Sequence, residues 1–340
     1  MSRVITFGEI MMRLNPEGYL RLSQAERFEV TYAGGEANVA VSLANYGDEV
    51  TFVSAVPMNE IGQNAINALR RYGVDTTMIH RRGSRLGIYF VEKGASQRGS
   101  KVIYDRLGSS FALSKRLDFD WGNIFTQSDW FHFTGITPAL GGELPDICLD
   151  AAMAAKKQGL TVSCDLNYRA KLWTKEAASQ VMSKLMPHID ICIANEEDCA
   201  DVFGLYAPNT DIKSGKIDLE GYKNVAEQLM KRFGLKKVAI TLRGSVSASD
   251  NNWMGILYDG RKVYSSKNYK IHIVDRVGGG DSFAGGLIHA IRRGLDNQTA
   301  IEFATAASCL KQTIEFDFNL VQENEVFSLM GGNASGRVQR

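Results

Sequence analysis

A chain of 340 residues with 44% hydrophobic side chains can bury a large core, as one big α/β domain or as two domains. Its 39 basic and 38 acidic residues leave a net charge of +1, which gives no footing for nucleic acid or a charged membrane surface. No apolar run is long enough to span a bilayer, and the first residues lack the apolar core and cleavage site of a signal peptide. The five cysteines (148, 164, 192, 199 and 309) are scattered without a C-x-x-C pair, which fits reduced, mostly buried thiols in a cytoplasmic protein. The five histidines lack metal-ligand spacing and read as packed or surface imidazoles.

In chain order, Val4 to Phe7 reads as a strand that meets the acidic Glu9. Residues 13 to 32 carry no helical stripe and are broken by Pro16 and Gly18. After Gly34-Gly35 a small-residue helix runs from Ala37 to Asn45, followed by a buried strand, Val50 to Ala55, and an amphipathic helix, Ile61 to Tyr72. Two β-like runs then follow, Leu86 to Glu92 and Lys101 to Arg106, joined by a polar hairpin loop. Within that loop Gly94 to Lys101 nearly spells a phosphate-binding P-loop, but it ends Gly-Ser-Lys and leads into a strand, so it fails the context a P-loop needs. The segments of about 13–33 and 85–112 interrupt an otherwise alternating chain, and can pair as a small sheet over a cleft.

Alternation resumes at Trp130 to Thr134 (strand) and Leu144 to Gln158 (helix). Thr161 to Leu166, Ile189 to Ala194 and Lys237 to Leu242 are further strands, with helices at Lys175 to Met186 and Lys223 to Phe233. Trp253 to Tyr258 and Lys262 to Ser265 form a hairpin around Asp259-Gly260, and helices over 281–294 and Thr299 to Lys311 follow. This pattern predicts a mostly parallel sheet covered by helices on both faces, with ligands at the carboxyl ends of its strands. Residues 1–330 read as one such domain and 331–340 as a mobile tail.

The strongest chemical signal is Val277-Gly278-Gly279-Gly280-Asp281-Ser282, between an apolar run, Tyr269 to Val274, and a helix. Glycines at a helix start let backbone N–H groups gather around a phosphate, aided by the helix dipole. Asp281 would repel that phosphate, and makes sense as a base that takes the proton of an attacking hydroxyl. The bland alternative is an Asp N-cap after a glycine loop. Gly285 and Gly286 inside the helix, each costing about 1 kcal/mol relative to Ala, signal a close packing partner. The first strand is not followed by G-x-G-x-x-G, which argues against a dinucleotide dehydrogenase.

Asp275-Arg276-Val277-Gly278-Gly279-Gly280-Asp281 resembles the C-terminal signature of the ribokinase-like (pfkB) sugar kinases, and Gly34-Gly35-Glu36-Ala37-Asn38 resembles their N-terminal one. The resemblance covers nearly all of residues 1 to 330. It implies a ribokinase-like fold with a β lid, ATP and Mg²⁺ as co-substrate, Asp281 as catalytic base and Gly278, Gly279 and Gly280 as anion hole. Gly34, Gly35, Asn38 and Asp275 fall to the sugar side. Asn167, Asn195, Thr241, Arg243 and Gly244 fall to the nucleotide side together with Gly278 and Gly280. Asn195-Glu196-Glu197-Asp198 is similar to the family's N-x-x-E motif with Asp198 in place of Glu, which assigns Asp198 to magnesium through water. The Gly expected beyond Gly244 is replaced by Ser-Val-Ser.

The strings around Tyr89, Tyr104-Asp105-Arg106, Thr134 to Leu140, Asn167-Tyr168-Arg169 and Arg276 resemble the 2-keto-3-deoxygluconate kinase branch. Arg106 and Arg169 are then expected to fork onto a sugar carboxylate, with Tyr89 and Tyr104 beside them. Arg276, where ribokinases carry a Thr that helps to coordinate a monovalent cation, is expected to replace that ion's charge. Two other readings stay open: another kinase of the family, acting on fructose, ribose or a nucleoside, or a non-catalytic sugar-acid sensor. A homo-oligomer formed through the lid is a further expectation.

Overall fold

The structure, a computed structural model, describes residues 2–207 and 218–333, so the expected tail lies outside the described residues from 334 onward. The chain opens with β1 (Arg3–Phe7), β2 (Met11–Asn15), β3 (Glu29–Ala33), α1 (Gly35–Asn45), β4 (Val50–Val56) and α2 (Glu60–Arg70). Next come β5 (Ile79–Arg81), β6 (Gly87–Glu92), β7 (Lys101–Asp105), α3 (Trp121–Ile124), β8 (Ser128–Thr134), α4 (Ile136–Ala139) and α5 (Leu144–Lys157). The middle holds β9 (Thr161–Asp165), α6 (Lys175–Leu185), β10 (Ile191–Asn195), α7 (Asp198–Phe203) and α8 (Leu219–Phe233). The chain continues through β11 (Lys237–Ser245), β12 (Asp250–Tyr258), β13 (Val263–Ser265), β14 (Tyr269–His272), α9 (Gly279–Arg292), α10 (Asn297–Lys311) and α11 (Glu323–Met330).

The main sheet runs β13-β12-β11-β10-β9-β8-β1-β4-β5, with β14 also paired to β12. From β5 to β11 every pairing is parallel, and the β12 edge is antiparallel. Alternate side chains feed two cores: Ile5, Phe131, Phe133 and Cys192 face α5, α6 and α8, whereas Val4, Trp130, Ile191 and Ile193 face α1, α2, α9 and α10. Burial on both faces is what a parallel sheet with helical crossovers requires. His132 sits inside it as a packed imidazole, held neutral by burial with its pKa pushed down to about 3.

The two helical glycines of α9 meet the close partners that the sequence implied. A Cβ on Gly285 would lie 2.7 Å from the Ser42 Cβ of α1, and one on Gly286 would lie 3.0 Å from the Ala304 Cα of α10. Close packing of α9 against α1 and α10 fixes where its N-terminus emerges above the sheet.

The two interrupting segments do form a separate sheet, β3-β2-β6-β7, in which β2 and β6 run parallel and the other pairs antiparallel. This lid sheet is docked onto the body. Ser96, in the β6–β7 loop, accepts a hydrogen bond from the Ala248 N–H at 2.7 Å, and Lys171 Nζ donates to the Val102 oxygen at 3.1 Å. Lys93 pairs with Glu315.

Candidate active site

Between the lid and the carboxyl ends of β1, β8, β9, β10 and β11 lies a cleft of about 620 Å³. Its floor is the start of α9. Gly278, at φ +83°, caps the helix, because a Cβ there would sit 2.1 Å from the Asp317 main-chain oxygen. The Gly279 N–H closes a turn on the Arg276 oxygen at 3.3 Å, while Gly280 is exposed to open space. The first N–H groups of a helix have no intrahelical acceptor, so this surface suits an anion.

Asp281 follows in the first turn of α9. Asn38 Nδ2 donates to its Oδ2 at 2.7 Å, and Asn38 is itself oriented by the Gly34 N–H, which donates to Asn38 Oδ1 at 3.3 Å. Burial raises the Asp281 pKa from 3.8 to about 7, with the Asn38 bond opposing the rise, and Asp317 and Glu36 adding to it. A carboxyl poised near neutrality is suited to accept a proton at physiological pH. Glu36, at the start of α1, is fully enclosed and accepts bonds from the Thr134 N–H, Thr134 Oγ1 and Thr137 Oγ1 at 2.7–2.9 Å, tying α1 to the end of β8.

At the lid end Tyr89 and Tyr104 stack at 5.9 Å, and the Arg106 guanidinium lies over the Tyr104 ring at 5.5 Å. Arg169, exposed on the loop after β9, lines the same space; its Nη1 donates to its neighbour's carbonyl, Tyr168 O, at 3.0 Å. Its positive charge counteracts the upward push that burial exerts on Asp165, Asp198 and Asp281.

The opposite end is lined by Asn167, Asn195, Thr241, Arg243, Asn251, Trp253 and Arg276. Asn167 is held at φ +41°, the left-handed region that a non-glycine residue rarely adopts, and strain of this kind gathers at functional sites. Trp253 Nε1, Asn251 Oδ1, Arg243 Nε and Arg276 Nε are buried without a hydrogen-bond partner among the described residues. Arg276 is pushed down by burial and by Arg243, so two guanidiniums sit together beside the glycine loop.

The family model for pfkB family carbohydrate kinases matches residues 1–313. The chain belongs to the pfkB carbohydrate kinase family. It is similar to the 2-dehydro-3-deoxygalactonokinase of Haloferax volcanii, with 30% identity over 98% of both chains. It is also similar to the 2-dehydro-3-deoxygluconokinase of Thermoproteus tenax, with 27% identity over 91% of this chain and 88% of that one. Among solved structures, the 2-dehydro-3-deoxygluconokinase of Thermotoga maritima superimposes with a TM-score of 0.94 at 49% identity, covering 98% of this chain and all of the other. The protein is thus a carbohydrate kinase with the ribokinase-like fold.

Within this kinase the cleft gathers Gly34, Gly35, Asn38, Tyr89, Tyr104, Arg106, Asn167, Arg169, Asn195, Asp198, Thr241, Arg243 and the glycine loop with Asp281. Several expected roles need correction. Asp275 is buried behind the loop, where its Oδ2 accepts from Arg13 Nη2 at 2.6 Å and its Oδ1 caps the Val277 N–H, so it does not line the sugar side. Gly244 lies further along β11 against Asn252, outside the cleft lining. Arg106 is not a free cation: its Nε donates to Glu9 Oε2 at 2.7 Å and its Nη2 to the same oxygen. The Tyr89 hydroxyl is likewise engaged, donating to Asp317.

Asp198 lines the cleft and accepts from the Tyr168 N–H at 3.1 Å and the Asn195 N–H at 3.0 Å, which splices the ends of β9 and β10. Asn195 Oδ1 in turn accepts from the N–H groups of Glu197 and Asp198, a turn that leads the chain into α7. The cation that neutralises Asp275 is Arg13, whereas Arg276 turns to the Ala248 oxygen at 2.8 Å. Sequence reasoning missed Arg13, Asp317, Lys311, Glu36, Asn251 and Trp253 as site components. Glu9, by contrast, carried a local signal as the acid that follows the first strand.

Proposed function

We propose that this kinase transfers the γ-phosphoryl group of Mg-ATP to the 6-hydroxyl of 2-keto-3-deoxygluconate. The observation that carries the reading is the juxtaposition of Asp281, poised near pH 7, with the open glycine loop at the cleft floor. Asp281 accepts the 6-hydroxyl proton as that oxygen attacks the γ-phosphorus. The N–H groups at the start of α9, with Gly280 leaving them uncovered, take up charge on the transferred group. Arg243 and Arg276, with unpartnered Nε atoms, suit the phosphates of the nucleotide. Mg²⁺ would arrive with the nucleotide and would neutralise charge on its phosphates; among the described residues no three His, Cys, Asp or Glu side chains are grouped as a metal cage. The docked lid keeps water from competing as acceptor.

The acid-sugar assignment is supported by Arg169, which lines the cleft and forms no ion pair among the described residues, and by the names of the similar kinases. Those names include both the gluconate and the galactonate substrate, which differ in one hydroxyl. With Arg106 neutralised by Glu9, the carboxylate falls to Arg169, and Arg106 Nη1 is left to assist. We further read residues 1–330 as one kinase domain, active in the cytoplasm. Val30 and Ile103, 50% and 41% exposed on the lid sheet, are a surface for self-association.

ADP release with Mg-ATP across 2-keto-3-deoxygluconate, its galactonate epimer, fructose and ribose tests the reading. Turnover confined to the keto acids is expected. Fructose or ribose as the better substrate would keep the kinase and overturn the acid-sugar assignment, and silence on all four would favour a sugar-acid sensor.

A further inference from the structure

The mechanism above leaves one buried ionic cluster unused. Arg13, in the middle of β2 of the lid sheet, is fully buried. Its Nη2 donates to Asp275 Oδ2 at 2.6 Å, its Nη1 to Asp317 Oδ2, and its Nε to Asn15 Oδ1 at 3.1 Å. From the adjacent lid strand, the Tyr89 hydroxyl donates to the other Asp317 oxygen. Both carboxylates belong to the environment of the glycine loop. Asp275 begins the segment that runs into Gly278, and the Asp317 main-chain oxygen occupies the place a Gly278 Cβ would take. Lys311 Nζ, also buried, donates to the Asp275 oxygen at 3.1 Å. Phe316, next to Asp317, is held at φ +63°, with the Arg13 guanidinium 5.5 Å from its ring centre.

Stability alone is a weak reason for this arrangement, because apolar side chains of similar volume often serve a core as well as a buried ion-pair cluster. What the cluster does uniquely is join three parts of the chain: a lid strand, the segment leading into the anion hole, and the segment packed against its first glycine. We propose that Arg13 is a positioning residue for phosphoryl transfer, bridging Asp275 and Asp317 so that docking of the lid sheet sets the position of Gly278. Arg13 touches neither the phosphoryl group nor the sugar in this account. It acts through Asp317 on the backbone that receives the transferred charge. A planar fork with two donors is needed for that bridge, and a lysine ammonium, though equally charged, lacks it. The inference rests on the kinase reading given above.

Arg13→Lys and the near-isosteric Asp317→Asn test it, alone and combined, beside wild type and Asp281→Asn, at a pH well above the Asp281 titration. Circular dichroism confirms folding, calorimetry gives binding of a non-hydrolysable Mg-ATP analogue, and steady-state kinetics separate kcat from KM. Displacements on the scale of 1 Å cost up to ~100-fold in such reactions, so kcat is expected to fall by about 10- to 100-fold. Nucleotide affinity and sugar KM are expected to stay within about threefold, since both ligands keep their direct contacts. The double variant should lose no more than the worse single variant, because both break one clamp. A kcat within about twofold of wild type in a folded variant, with only the melting temperature lowered, would reduce the cluster to packing and overturn the proposal. Should Arg13→Lys not fold, Asp317→Asn decides. Wild type without turnover would instead sink the kinase reading itself; wild-type turnover that is lost in Asp281→Asn keeps that reading whatever the clamp variants show.

Discussion

Asp281→Asn should give a protein that is more stable and nearly inactive. Enclosure raises the carboxyl from 3.8 to about 7, so its charged form is disfavoured in the folded state. A thousandfold change in proton affinity corresponds to ~4 kcal/mol, and cleft water screens part of that, leaving about 2 kcal/mol. The sign follows from linkage. With the folded pKa above the unfolded one, the wild-type protein gains stability from this group below pH 4 and loses it as pH rises toward 7. Asparagine has no charge to bury, and its amide oxygen can still accept the Asn38 Nδ2 hydrogen bond. At pH 8 the variant should therefore melt about 3 °C higher, taking the unfolding entropy typical of a chain this long. The gap should narrow as pH falls from 7 toward 4. Scanning calorimetry at several pH values checks this, and coupled ADP release checks turnover, which should fall by at least ~100-fold. Equal melting temperatures across that range would refute the buried-charge argument. More than about a tenth of wild-type turnover would refute general-base catalysis by Asp281.

The kcat/KM profile of the wild-type enzyme should rise with pH and level off above an apparent pKa near 7. Asn38→Ala removes the bond that holds this value down, so the acid limb should move to higher pH; an unmoved limb would show that Asp281 is not the titrating group. Gly285→Val should cost about 1–3 kcal/mol in urea unfolding, because its Cβ would meet Ser42 at 2.7 Å; an unchanged midpoint would mean that α1 and α9 are loosely packed. Because Asp275 is already paired with Arg13 and its carbonyl with Lys311, added potassium at constant ionic strength should leave turnover unchanged, and a severalfold rise would contradict that pairing.

The sheet and its longer helices were legible because most of its strands carry an apolar run bounded by turn residues, and those helices a stripe of fixed period. The glycine-rich start of α9 announced an anion site for similarly local reasons: its residues are neighbours in sequence and their backbone does the chemistry. Asn195 was legible through the motif it opens, and it lines the cleft while its side chain turns the chain into α7. Short elements were not: β5 spans three residues, and α11 depends on packing of Val326 against the core.

The ionic partners were illegible for a different reason. A strand with an arginine at its middle suggests a solvent-facing position, yet Arg13 alternates with Met12 and Leu14 so as to point inward with Met11 and Asn15. Its carboxylates lie 262 and 304 residues away along the chain, and only the docking of the lid brings them together. Arg106 was expected to face a sugar carboxylate because nothing local to it reveals Glu9, 97 residues earlier. Charge pairing across such separations is set by topology, which a local pattern does not contain.

The central claim is that this cleft recognises an acid sugar through Arg169 and phosphorylates its 6-hydroxyl. Its most direct test is a two-by-two comparison of kcat/KM for 2-keto-3-deoxygluconate and its neutral carboxamide, in wild type and Arg169→Ala. A charge-assisted hydrogen bond contributes about 1.5–3 kcal/mol, so wild type should prefer the acid by roughly 10- to 100-fold, and the variant should lose that preference while using the amide as well as before. An equal preference for the acid in both proteins would place the carboxylate elsewhere and contradict the account.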